Sequence, residues 1–214
     1  MNNSQTPAEP ITKDVIVTEA ASLFSERGYR RTKVTDIARA AGITPPSLYW
    51  HFSSKEEILF EYLRGGLVEF NSQIETALDG CGNESEQLRA LAIAHTRAQL
   101  EFRDKAKAVL SFTHSATQLS ADLSNERVGH IRALIREHID RTRALIDRGI
   151  VSGEFNVPNA AALTYAVLNM CEYSAVWFRP DGGSTAVEVA EANGELAVRM
   201  AVGCEGFGQR GEKL

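Results

Sequence analysis

A chain of 214 residues, 43% of them hydrophobic and 24% charged, can bury one good core or two modest ones, and its composition is that of an ordinary globular protein. A net charge of −5 excludes a protein that coats nucleic acid indiscriminately. The three cysteines, Cys81, Cys171 and Cys204, are far apart and odd in number, which offers neither a disulfide framework nor a zinc spacing; no metal and no cofactor are expected, and a reducing cytoplasm fits.

Residues 1–10 are polar, with Pro7 and Pro10, and read as a flexible tail; no charged segment precedes an apolar run there, so no signal peptide is expected. A first helix runs from about Ile11 to Arg27, with Val15, Ile16, Ala20, Leu23 and Phe24 at helical spacing and Gly28 as its stop. A second runs from near Val34 to Gly42 and turns Ile37, Ala38 and Ala41 inward. Thr44 is placed to cap a third, Pro45 to about His51, because a proline in the first helical position gives up an N–H that has no partner anyway. Ser53-Ser-Lys-Glu-Glu resembles a capping box opening a long helix to about Leu78, closed by Gly80 and Gly82.

Further helices are expected over Glu86 to Phe102, Lys105 to Leu119, Asn125 to Val151 and Ala160 to Phe178. Ser184 is expected to cap a last one ending near Gly203, with a flexible tail over 207–214. No period-2 alternation bounded by turns is present, so the predicted class is all-α with about nine helices. Ala160 to Phe178 is interrupted by Thr164, Asn169, Glu172 and Ser174 and reads as a buried helix, so no membrane partner is expected.

The stretch from residue 34 to 53 carries the chemistry. Two short helices joined by a tight turn, the second too brief to be a good core element, suit insertion into the major groove of double-stranded DNA. Leu48 and Phe52, four apart, can clamp that second helix against Ile37 and the first helix. Pro46, Ser47, Tyr49, Trp50 and His51 then occupy its outer face. Thr44, Tyr49, His51 and Lys55, with Lys33 and Thr35 from the preceding helix, are candidate phosphate contacts. Between Arg27 and Lys55 six basic residues face one acid, Asp36; that local +5 in a chain of −5 leaves −10 for the remainder, a small basic face on an acidic body.

Gly28-Tyr29, Val34-Thr-Asp-Ile-Ala-Arg-Ala-Ala-Gly and Ser47-Leu-Tyr-Trp-His-Phe-Ser-Ser-Lys-Glu-Glu resemble the DNA-binding domain of the TetR family of transcriptional regulators, over about Ile11 to Glu69. The resemblance implies an N-terminal three-helix DNA-binding domain at 11–71 and a C-terminal helical ligand-binding and dimerisation domain at 72–206. It further implies a homodimer on a palindromic operator and a small-molecule effector. Carried over by position, Lys33, Thr35, Thr44, Pro45, Pro46, Ser47, Tyr49, His51 and Lys55 match the family's DNA-facing sites. Pro45-Pro46 is less usual than a small polar or glycine pair, and neither proline can donate from its backbone, so readout in that turn rests on van der Waals contact.

On the last helix Val187, Ala190, Gly194, Ala197 and Ala201 form a stripe of small residues, and on the preceding one Leu163, Val167, Met170, Ser174 and Trp177 form another. Two such helices per subunit can build a four-helix dimer interface. An effector pocket is expected where apolar residues mix with isolated polar ones: His95, Gln99, Phe102, Leu110, His114, Ile135 and Met170 are its candidates. Ile146-Asp-Arg-Gly-Ile-Val-Ser-Gly-Glu-Phe-Asn-Val, with Trp177-Phe-Arg-Pro, is similar to the C-terminal half of TetR-type regulators of lipid and sterol catabolism. Some of those regulators respond to acyl-CoA thioesters, and for such an effector the turn would place Arg179 near a phosphate; the alternatives are that Trp177 plugs the dimer seam and Arg179 caps the helix end, and a smaller hydrophobic or aromatic molecule is the rival effector. No nucleophile–base pair, paired carboxylates, glycine-rich phosphate loop or metal spacing supports the alternative of an enzyme, and a helical adaptor without a DNA role is the remaining alternative.

Overall fold

In a computed structural model the described residues, 12–101 and 121–203, form eight helices and no strand, the expected all-α class. They are α1 (Lys13–Arg27), α2 (Val34–Ala40), α3 (Pro45–His51), α4 (Lys55–Leu78), α5 (Glu84–Glu101), α6 (Asn125–Ser152), α7 (Ala160–Trp177) and α8 (Ala186–Val202). The helix expected over Lys105 to Leu119, both tails and Cys204 lie outside the described residues. None of these helices is long and apolar enough to cross a membrane.

Local chemistry sets most boundaries. α1 stops at Gly28, which takes φ +82° and returns its N–H to the Phe24 carbonyl at 2.9 Å. The Thr44 hydroxyl accepts the Ser47 N–H at 3.2 Å, and Pro45 follows it in the first position of α3. At α4 the expected box is shared between two serines. Ser54 accepts the Glu57 N–H at 3.1 Å, while the Glu57 carboxylate reaches back to the N–H and hydroxyl of Ser53 at 2.7 and 2.6 Å. Those bonds hold the Glu57 carboxyl below the usual carboxylate range. Ser184 does not cap α8; Thr185 does, one residue later, because Glu188 stands three residues beyond it and returns to its N–H at 2.8 Å, whereas the residue three beyond Ser184 is Val187. Val15 is also turned out to solvent, and Ile16, Ala20, Leu23 and Phe24 make the inner face of α1 without it.

The helices enclose two cores. The head core gathers Ile16, Phe24, Ile37, Leu48, Phe52, Ile58, Leu59 and Leu63, and is completed from the far side of the chain by Leu123, Val128 and Ile131 at the start of α6. The body core holds Ile74, Leu88, Leu91, Ala92, Leu145, Ile146, Val167, Cys171, Ala197 and Ala201. α4 and α6 run through both.

The stripe assigned to dimerisation faces inward. Leu163, Val167, Ser174, Ala190, Gly194, Ala197 and Ala201 are buried within the single chain, Met170 is half-buried against the body core, and of the nine only Val187 is exposed. The small residues of α8 let it lie close on α5: a Cβ on Gly194 would stand 2.7 Å from Ile93 Cγ1. On these two helices the large apolar side chains left in solvent are Tyr165, Tyr173, Val176 and Trp177 on α7 and Val187, Leu196, Met200 and Val202 on α8.

Candidate nucleic-acid interface and the buried histidine pair

α3 has only seven residues, too few to be stable alone, so its position depends on packing. Leu48 and Phe52 supply it, at 0% and 1% exposure in the head core. The opposite face is open. Tyr49 is 54% and Trp50 89% exposed, an unusual display for large aromatics unless a partner covers them. Thr44 and Pro46 are exposed beside them, and Pro45, Ser47 and His51 are half-buried. The Thr44 and Ser47 hydroxyls lie 2.9 Å apart and hydrogen-bond each other. Lys33 and Thr35 are exposed at the start of α2, where the Lys33 N–H donates to the Asp36 carboxylate at 3.2 Å. One short helix thus presents Thr44, Pro46, Tyr49 and Trp50 to solvent, with Pro45, Ser47 and His51 partly accessible and Lys33 and Thr35 exposed on or beside the helix before it.

Lys55 is the exception. Its ammonium donates to the Tyr29 carbonyl at 2.9 Å and the Thr32 carbonyl at 3.0 Å and sits 4.2 Å from the centre of the Tyr29 ring. Desolvation lowers its pKa, and burial first, then the charge of Asp122, pushes the Tyr29 phenol up to about 12. The residue expected to reach a phosphate thus ties α4 to the turn between α1 and α2 through two of its three ammonium donors. The Thr32 hydroxyl finishes that turn by donating toward the Leu23 and Gly28 carbonyls at 3.3 and 3.0 Å.

Of the residues expected around an effector, His95 is buried on α5 and Gln99 stands one turn on. The His95 Nδ1 lies 3.2 Å from His138 Nε2 on α6, and its Nε2 lies 3.4 Å from the Gln99 amide nitrogen. Phe70 of α4 meets both imidazoles edge-on, with ring centres 4.9 and 4.8 Å away. Desolvation holds both histidines neutral; the His138 pKa falls to about 4 and that of His95 falls well below its ordinary value. Gln99 Oε1, His138 Nδ1 and, on α4, Asn71 Oδ1 are buried without a hydrogen-bond partner among the described residues. His138 gave no signal in sequence beyond a histidine on an apolar helix face.

Ile135 packs toward the head core, Met170 against the body core, and Trp177 and Arg179 are exposed at the end of α7, where Phe178 between them is the buried residue. Phe102, Leu110 and His114 lie outside the described residues.

Residues 16–62 match the family described as bacterial regulatory proteins, tetR family, and residues 81–201 match the tetracyclin repressor-like C-terminal domain. The chain is 33% identical over 179 residues to the transcriptional repressor KstR2 of Mycobacterium tuberculosis, spanning 80% of this chain and 84% of KstR2. Among solved structures, the TetR-family regulator PfmR of Thermus thermophilus superposes with a TM-score of 0.73 at 37% identity, covering 86% of this chain and 96% of PfmR. AibR, solved with isovaleryl coenzyme A and operator DNA, shares the fold with a TM-score of 0.75 at 24% identity, covering 86% of this chain and 96% of AibR. With the exposed recognition helix, the head and the body all accounted for by one family, the chain belongs to the TetR family of helix-turn-helix transcriptional regulators, which bind DNA and are not enzymes.

Proposed function

We propose that the protein is a homodimeric repressor that binds a palindromic operator through α3 and is released by a small, largely apolar effector held in the body. The observation that carries the reading is the asymmetry of α3: one face fixed in the head core, the other presenting Tyr49, Trp50, Thr44 and Pro46 to solvent. One such helix reads few base pairs, so two heads about 34–36 Å apart, one turn of duplex, would read a palindrome. The exposed apolar strip on α7 and α8 supports a second copy as the partner that holds them there.

For the effector, the buried ring cluster of Phe70, His95 and His138, with Gln99 and its unpaired oxygen alongside, supplies apolar surface and a few orienting polar atoms. AibR binds an acyl-CoA, and the same ligand class is the one proposed here, with Arg179 available at the surface for a phosphate. The ligand must favour a body shape in which α4 swings the heads off their spacing, with a coupling of about 1–3 kcal/mol, or roughly 5–150-fold in operator affinity.

The test begins with operator selected in vitro from random duplexes and measured by mobility shift. Lys33→Ala with Tyr49→Ala is expected to abolish binding while leaving a folded dimer; wild-type affinity in that variant would overturn the interface. Acyl-CoA thioesters of several chain lengths are then titrated into the complex. Unchanged binding at saturation by all of them would remove the acyl-CoA assignment, and native mass spectrometry of the purified protein would show what it carries instead.

A further inference from the structure

The outer face of α3 carries a narrow chemistry. Residues 44–51 include no arginine, lysine, asparagine, glutamine, aspartate or glutamate. Those are the side chains that make the most discriminating base-edge bonds, arginine and lysine to guanine, the amides to adenine and the carboxylates to cytosine. The neighbouring cations do not fill the gap. Lys33 caps α2 and Arg39 lies in its last turn, and in a helix-turn-helix that first helix crosses the phosphate backbone while the second enters the groove. Two donors of the Lys55 ammonium are already held by the Tyr29 and Thr32 carbonyls.

The polar groups that remain discriminate weakly. The Thr44 and Ser47 hydroxyls bond each other at 2.9 Å, and Thr44 Oγ1 also accepts the Ser47 N–H. One hydroxyl proton is used between them, which leaves a single O–H for the duplex, and every base pair offers an acceptor to it in the major groove. Pro45 and Pro46 have no N–H to give. Pro46 is exposed and Pro45 half-buried beside it, and Tyr49 and Trp50 add exposed rings with one polar atom each. An apolar surface of this kind has one specific counterpart among the base edges of the major groove, the 5-methyl group of thymine.

We propose that Pro46, with Pro45 beside it, reads a thymine methyl group in each operator half-site, so that Pro46 is a specificity-determining residue of the interface. The inference rests on the reading above in which α3 enters the groove, and it adds the kind of base edge recognised there. The two can fail separately, because the methyl contact is measured on a duplex that the protein already binds. Covering one methyl group changes affinity by at most about four-fold, or ~0.8 kcal/mol, so the contact selects among sites and leaves most of the affinity to the phosphates.

Base analogues in operator selected from random duplexes test this, by mobility shift with the full-length protein. Selected half-sites are expected to share a thymine at one fixed position. Deoxyuridine there removes the methyl group and keeps every hydrogen-bonding group. It should weaken binding about two- to four-fold in one half-site and about four- to sixteen-fold in both. A C·G pair at that position should bind about two- to four-fold better when its cytosine carries a 5-methyl group. In Pro46→Ser, at an exposed position, both ratios should fall toward one; because each is a ratio, a general loss of affinity cannot imitate the result. Half-sites without a shared thymine, deoxyuridine tolerated at every thymine, or ratios unchanged in Pro46→Ser would each overturn the proposal. Complete loss of operator binding by a folded Pro46→Ser would also overturn it, since one apolar contact cannot carry the whole affinity. None of these results displaces α3 as the interface, which is judged by Lys33→Ala with Tyr49→Ala.

Discussion

The Lys55 ammonium lies at bonding distance from two main-chain carbonyls, 23 and 26 residues earlier in the chain, and over the face of Tyr29. A charged donor on neutral acceptors contributes more than a neutral pair, and leaving those carbonyls unmet would cost the head about 1–2 kcal/mol. Lys55→Met should therefore lower the melting temperature and weaken operator binding without changing the slope of affinity against salt. Lys33→Ala, which removes an exposed charge, should lower that slope by about one. A salt slope that falls by about one in Lys55→Met would return Lys55 to the phosphates.

The histidine pair makes a separate prediction. An unfolded imidazole takes up its proton near pH 6.5, whereas folded His138 stays neutral down to about 4 and His95 is lowered as well. The unfolded chain thus binds more protons in this window, so stability is full above pH 6.5 and is lost as pH falls toward 4. Each histidine can contribute up to about 1.4 kcal/mol per pH unit. Glu56 and Glu57, whose carboxyls are held low by their hydrogen bonds to Ser124 and Ser53, lose their contribution only below the ordinary carboxylate range, so the interval from 6.5 to 4.5 isolates the histidines. Denaturant melts of His138→Gln should show a shallower pH dependence there; a slope equal to wild type would mean that the pair is not held neutral.

At the scale of elements, two glycines of α6 make opposite predictions. Gly129 is exposed and a Cβ there meets nothing within 4 Å, so Gly129→Ala should stabilise by about 0.5–1 kcal/mol. At Gly149 a Cβ would fall on the Phe155 ring, and Gly149→Ala should cost about 1–3 kcal/mol. Equal effects in urea melts would contradict the packing at that turn. The contrast also marks what can be read in a sequence. Gly28, Thr44-Pro45 and the Ser53–Glu57 box were legible because a cap is settled within four residues. The face that α7 and α8 turn outward was not. Both helices carry more than one apolar or small-residue stripe, and spacing alone cannot say whether a stripe meets α5 or another copy. Two further contacts had no local signature: Leu123 entering the head core from more than sixty residues beyond α4's first turn, and the carbonyls that receive Lys55.

In the dimer proposed above, DNA is read only if two heads are held at a fixed separation, and that would depend on which surface joins two copies. Tyr165, Tyr173, Val176 and Trp177 on α7, with Leu196, Met200 and Val202 on α8, all stand in solvent, a set of large apolar side chains of the kind that marks an interaction surface. Helices presenting such strips can pair across a two-fold axis into a four-helix interface. Tyr173→Glu with Leu196→Glu places charge on two exposed side chains, so it should leave the fold intact and separate the copies. Light scattering across a range of concentrations should then give the mass of one chain, with unchanged helicity by circular dichroism. Operator affinity should fall at least about 100-fold, because each head would bind its half-site without the effective concentration that its twin supplies. Gly194→Leu is the counterpart: its side chain would be driven into Ile93 and Arg89 of the same chain, so it should lower the melting temperature of the body before it alters the association state. A dimer that survives Tyr173→Glu with Leu196→Glu would show that the copies meet elsewhere, whereas dissociation by Gly194→Leu in a fully folded chain would restore the small-residue stripe as the interface.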